Sequence, residues 1–198
     1  MEFNQEAINS FKKIINDELA YDIFIHDWAI RKEIENHISI QLFESPYSMI
    51  LTLLKLLKFY IQRSKVKSVI GFTEDDPALT SIGTWASHET KLPFYSYNME
   101  DAGALSQFVR PEVCPCSLLI PYSTNEIQVN DIIKIFTEKM VPITQIISLV
   151  EEHPLKTDSL DIGIEYLSIA NWTSIQERIL GFKNVMPAKM AKMLTLFR

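Results

Sequence analysis

The sequence predicts an α/β domain: a parallel sheet with helices on both faces. Three observations predict it. Short apolar runs recur at Val66–Phe72, which is rich in β-branched residues, and at Leu92–Tyr97, Ser117–Tyr122 and Ile143–Val150. These runs do not alternate polar with apolar, which is the pattern of strands buried on both sides. Between them the order is strand, helix, strand, loop, strand, helix, strand, as parallel pairing requires.

Each element follows from its residues. Asn4–Leu19 has the period of an amphipathic helix, with Ile8, Phe11, Ile14, Ile15 and Leu19 on one side. Tyr21–Ile25 and His37–Phe43 read as short strands. Ser45 and Pro46 supply an N-cap and a first helical residue. The helix they open runs to Arg63 and is apolar nearly all round, so it is expected to be buried. Val66–Phe72 is the predicted central strand. Asp76 and Pro77 open a helix that reaches Thr90, and Leu92–Tyr97 follows as a strand. Glu100–Pro115 contains Gly103, Pro111 and Pro115 and reads as loop. Ser117–Tyr122 is a third strand. Gln128–Met140 is a helix carrying Ile132, Ile133, Ile135 and Phe136. Ile143–Val150 and the shorter Ile164–Ile169 complete the strands. Thr173–Leu180 and Ala188–Phe197 are the last predicted helices.

Composition narrows the function. The chain has 198 residues, 47% of them hydrophobic, which suits one domain with a sizeable core. Its net charge of -6 argues against a nucleic-acid partner, which needs a basic face. The longest apolar stretch, Met49–Ile61, is broken by Thr52, Lys55 and Lys58 and is too short for a bilayer. Met1–Ser10 lacks the apolar centre of a signal peptide. The two cysteines, Cys114 and Cys116, flank Pro115 and cannot staple a fold. The expectation is a cytoplasmic protein that meets neither membrane nor nucleic acid. Only five residues are glycine, although loops that hold phosphate usually need them.

Ligands in parallel sheets bind beyond the carboxyl ends of the strands. The places to inspect are Phe72–Asp76, Asn98–Gly103 and Pro121–Ile127. Glu74, Asp75 and Asp76 have the chemistry of a hard-metal site. They also suit a helix start, where acids meet the positive end of the dipole; the capping reading is the simpler, and no metal is assigned. Ser123, Thr124 and Asn125 either hold a small anion or polar ligand or cap the helix that follows. Cys114 and Cys116 with His88 or His153 make a weak zinc pattern, because a second cysteine pair is missing. His26 and Asp27 are adjacent in sequence, so their side chains diverge. The tail Pro187–Arg198 mixes Met190, Met193, Leu194 and Phe197 with Lys189, Lys192 and Arg198, and is expected to cover the chain's own core.

At these strand ends the chain resembles the type I phosphoribosyltransferases, orotate phosphoribosyltransferases above all. The resemblance spans Ile8 to Ile179. The segment VKSVIGFTEDDPALTSIGTWASHETKLPFYSYN is similar to the family's strand, pyrophosphate turn, helix and next strand. SLLIPYSTNEIQVNDIIKIF stands where the family keeps its phosphoribosyl pyrophosphate loop, and DIGIEYLSIANWTSIQERI looks like its last strand and helix. The resemblance implies a single phosphoribosyltransferase-like domain over 1–198: a hood and N-terminal helix at 1–45, the core at 46–182 and a C-terminal helix at 183–198. It also implies a homodimer, and a hood over the base-binding side that brings His26 and Asp27 near the pocket.

The residues depart from the family where its chemistry resides. Two adjacent acids end the family's third strand; Pro121 and Tyr122 stand here. A glycine- and threonine-rich loop cradles the 5-phosphate at a helix N-terminus; here it is Ser123, Thr124, Asn125, Glu126 and Ile127. A carboxylate near a phosphate costs on the order of 1 to 4 kcal/mol at a few ångströms, so Glu126 opposes the anion, as Glu74, Asp75 and Asp76 oppose pyrophosphate. No Lys or Arg lies between Asn98 and Gln107. The sequence therefore predicts a non-catalytic, regulatory or accessory protein that takes a small polar ligand or a protein partner. Its cleft candidates are Thr73, Glu74, Asp75, Asp76, Tyr122, Ser123, Thr124, Asn125 and Glu126, and no cofactor is expected. Two alternatives stand beside it. One is an enzyme of changed chemistry in the same cleft. The other is a divergent orotate-type transferase, which would use Mg²⁺ and borrow cations such as Arg31, Lys32 and Arg110.

Overall fold

The computed structural model describes residues 4–25, 47–72, 77–98, 104–155, 163–182 and 184. Five strands run parallel: β1 (Ser68–Phe72), β2 (Phe94–Tyr97), β3 (Cys116–Ser123), β4 (Ile143–Glu151) and β5 (Glu165–Asn171). They lie in the order β2-β1-β3-β4-β5. The helices are α1 (Gln5–Ile25), α2 (Tyr47–Arg63), α3 (Pro77–Thr90), α4 (Glu126–Glu138) and α5 (172–182), with a 3₁₀ turn at Ala104–Phe108. This is the helix-flanked parallel sheet that the sequence predicts.

Two apolar layers explain why the strands are apolar throughout. Neighbouring strand residues face opposite sides, so each run must feed two cores. Val69, Leu119, Ile147 and Ile169 pack with α1, α2, α3 and α5. Ile70, Leu118 and Ile146 pack with Val129, Ile132, Ile133 and Phe136 of α4 and with Leu105 and Phe108 of the 3₁₀ turn. Gly83 of α3 meets the sheet closely, since a Cβ there would fall on the Phe94 ring.

Several sequence expectations need correcting. Tyr21–Ile25 is not a strand but the end of α1. Its short β-branched and aromatic run is helical because α1 packs along α2 and β5, and tertiary contact outweighs local propensity. Ile14 is 46% exposed, while Ile8, Ile15 and Leu19 are buried; one residue along a helix turns the side chain by about 100°. On α2, Leu53, Leu56, Leu57, Tyr60 and Ile61 are buried but Leu51 is 37% exposed, so the helix buries one face and not its whole circumference. The strand Ile164–Ile169 runs on to Asn171, longer than expected. The predicted strand His37–Phe43, the cap Ser45–Pro46 and the helix Ala188–Phe197 lie outside the described residues.

The shortage of glycine shows at the helix ends. Lys65, Lys91 and Met140 adopt positive φ, at 53°, 62° and 59°. Met140 sits at the left-handed position of a Schellman turn: Val141 N–H donates to Phe136 O at 3.0 Å and Met140 N–H to Thr137 O at 2.9 Å. Glycine is the residue that takes this conformation without Cβ strain. Met140 is 77% exposed and so has little packing to lose. Met140→Gly is expected to stabilise the protein by about 0.5–1 kcal/mol, read as a higher denaturant midpoint.

Candidate functional site

The strand order reverses between β1 and β3, because the chain steps from β1 out to β2 and returns across β1 to β3. A crevice at such a switch point is where parallel sheets bind ligands. β3 outruns β1: their last paired residues are Gly71 and Leu119, and β3 continues to Ser123 against β4. Pro121 lies in this overhang, where a missing N–H costs no ladder bond to β1. The turn of Thr124 and Asn125 and the N-terminus of α4 follow. Thr73, Glu74, Asp75 and Asp76 come directly after β1 but lie outside the described residues, as do His26, Asp27, Arg31 and Lys32.

The structure places the remaining candidates in distinct surroundings. Tyr122 is half-buried against the α1–α2 core layer. Ser123 is fully buried; its hydroxyl lies 2.7 Å from the Tyr166 phenol and donates to Ser148 Oγ at 3.1 Å. Ser148 Oγ donates to Val150 O at 2.7 Å. Burial pushes the Tyr166 pKa well above the usual phenol value, and its bond to Ser123 pulls the other way. Ser123 is thus a strand residue holding an internal polar network rather than part of an open loop.

Asn125 is the N-cap of α4 and accepts from Gln128 N–H at 3.0 Å. Gln128 reaches back, and its Oε1 accepts from Thr124 N–H at 2.8 Å and Thr124 Oγ1 at 3.1 Å. This reciprocal arrangement works as a capping box does. Of Ser123, Thr124 and Asn125, Asn125 is the one that caps the helix, while Ser123 turns inward. Glu126 stands in the first turn, where its charge suits the helix dipole. The N-terminus of α5 is closed likewise: Asn171 Oδ1 accepts from Ser174 N–H at 2.9 Å.

Beside Ser123, β4 ends in Glu151, which is 8% exposed and paired in register with both Ser123 and Asn171. Asn171 Nδ2 donates to Glu151 Oε1 at 3.4 Å. Lys12 of α1 donates to Ser168 Oγ at 3.1 Å and is close enough to feel the charge of the same carboxylate. Burial lowers its pKa, and the Glu151 charge partly restores it.

Sequence reading missed Lys12, Gln128, Ser148, Glu151 and Tyr166. Two signals were present. Ser148 interrupts the apolar centre of its strand, Ile146–Val150, and Gln128 follows Asn125 at capping-box spacing. Lys12 and Tyr166 carry no such signal, since their roles depend on contacts between distant segments.

The two thiols stand in different surroundings. Cys116 is fully buried and lies 3.5 Å from Pro142 O, and burial pushes its pKa up to about 12. Cys114 donates to Phe108 O at 3.1 Å, and burial raises its pKa too. His153 Nδ1 is 2.9 Å from Thr173 Oγ1, and His88 Nδ1 is 3.7 Å from Glu89. Among the described residues no three His, Cys, Asp or Glu side chains converge as a metal site, and no helix is long and apolar enough to cross a membrane.

No protein-family model matches the chain, and no curated protein sequence matches it. Among solved structures it is similar to an orotate phosphoribosyltransferase from Aeropyrum pernix, with 12% identity, a TM-score of 0.49, and 72% of this chain and 81% of that one covered. It is similar to an adenine phosphoribosyltransferase from Leishmania donovani, with 13% identity, a TM-score of 0.49, and coverage of 68% and 69%. It is also similar to a phosphoribosyltransferase from Corynebacterium diphtheriae, with 14% identity, a TM-score of 0.49, and coverage of 69% and 82%. The chain's architecture is defined by its own sheet: five parallel strands between two helical layers, with the strand order reversing between β1 and β3.

Proposed function

We propose that the protein is a non-catalytic, phosphoribosyltransferase-like binding protein, a regulatory or accessory subunit working as a cytoplasmic homodimer. Its ligand is a small polar molecule taken at the crevice between β1 and β3.

One observation carries this reading: the turn after β3 is closed on itself. The amides of Thr124 and Gln128 are occupied by the side chains of Gln128 and Asn125. Seating a phosphate there would displace both contacts, each worth about 1 kcal/mol, next to the carboxylate of Glu126. Pro121 and Tyr122 offer no carboxylates for ribose hydroxyls or for magnesium. Two of the amides that a transferase would offer to phosphate at this turn are instead held by the turn's own side chains. Ser123 also counts against a changed chemistry in the same cleft, because its hydroxyl is committed to Tyr166 and Ser148.

Calorimetric titration with Mg²⁺ and phosphoribosyl pyrophosphate tests the proposal, alongside an assay of orotate consumption. The expected result is no saturable heat and no turnover. Micromolar binding accompanied by orotate turnover would show that the closed turn opens for a diphosphate ester, and the reading would be abandoned.

A further inference from the structure

A second polar cavity lies away from the switch point, in the groove between α1 and α5 beyond the edge strand β5. Its volume is about 420 Å³, and it is lined by Asn9, Lys12, Lys13, Asn16, Asp17, Ser174, Glu177 and Arg178. That volume suits a small molecule. Every lining side chain is polar, so the groove does not suit an apolar guest. Three linings are cationic and two acidic, in a chain whose net charge is -6.

We infer that this groove is a binding site for a small oxyanion, the phosphate or carboxylate group of a polar molecule. Lys12 forms its floor. An ammonium has three donors, and Lys12 spends one on Ser168 Oγ at 3.1 Å. It is held largely out of water, which raises the return from meeting an anion. The charge of Glu151, which does not line the groove, favours a charged lysine there. Arg178 forms a wall. Its Nε lies 2.9 Å from Asp17 Oδ1 in a half-exposed ion pair, which leaves its terminal amino groups for a ligand. Asn16 is fixed as well, because its Oδ1 accepts from Asn171 N–H at 3.0 Å. Lys12 and Asn16 are thus each anchored at one atom, which lowers the entropy lost on binding. The inference does not rest on the reading of the β1–β3 crevice, from which β4 and β5 separate it.

The test is titration of the full chain with inorganic phosphate and, separately, with acetate, at fixed ionic strength and followed by amide NMR shifts. Saturable shifts confined to residues 9–17 and 174–178 are expected with at least one of the two, and the one that saturates identifies the head group. Lys12→Met keeps the apolar stem and should weaken binding about 10-fold or more, equivalent to about 1.4 kcal/mol. Arg178→Gln, at a half-exposed position where folding is not at risk, should weaken it several-fold. The inference is overturned if neither anion saturates, if both variants bind as the parent does, or if the shifts gather at Thr124–Gln128 instead.

Discussion

Replacing Phe136 by alanine is expected to cost about 3–5 kcal/mol, a large share of the stability of a domain this size. Phe136 is fully buried at the centre of the layer beneath α4. Its ring meets Tyr97 edge-on, with centroids 5.5 Å apart at 74°. Tyr97 in turn packs against Phe72 at 5.8 Å and Phe108 at 6.5 Å. Removing Phe136 therefore opens a cavity beside Tyr97, whose own ring is held by Phe72 and Phe108 and so cannot easily move to fill it. Urea unfolding measures the effect as a lower midpoint with an unchanged slope. A loss below about 1 kcal/mol would mean that this layer is loosely packed.

The second large effect concerns Gln145, a fully buried amide in β4. Its Oε1 accepts from Ser117 Oγ at 2.9 Å. Its Nε2 donates to Tyr60 O at 3.0 Å and to Glu165 Oε2 at 3.2 Å. Tyr60 lies in the last turn of α2, where carbonyls have no partner within the helix. A side chain from the sheet therefore caps the end of a helix on the layer above. Gln145→Leu keeps the volume but leaves the Tyr60 carbonyl and the Ser117 hydroxyl unsatisfied. A loss of about 2–4 kcal/mol is expected. Ser117→Ala, which removes a single bond, should cost about 1 kcal/mol. Equal losses for the two variants would contradict the capping role.

The fold was legible where burial alone decides structure. Val69–Phe72, Leu118–Ile120 and Ile146–Val150 had to be strands with two apolar neighbours, and they are. What could not be read was set by partners far away in sequence. Nothing in Tyr21–Ile25 says that α1 continues, because α2 and β5 supply the reason. At the candidate site, the loss of the acid pair and of glycine was visible residue by residue. The closure of the turn was half visible: Asn125 offered a cap, but Gln128 completes it, and glutamine is an unremarkable helix residue until its carbonyl is seen on Thr124. The polar network of Ser123, Ser148 and Tyr166 was hidden because it joins three strands through side chains that look individually ordinary.

The order of the strands bears on how the chain is made. β1 cannot complete its pairing until β3, some fifty residues later, has emerged, and β3 then waits for β4 on its other flank. A nascent or truncated chain ending near Val141 would carry the apolar strand β3 with one side unsatisfied, a template for sticking to copies of itself. Shortened versions should therefore keep β4 and β5 together with β3, and slow growth of the polypeptide through residues 124–142 is the interval in which chaperone capture would matter most.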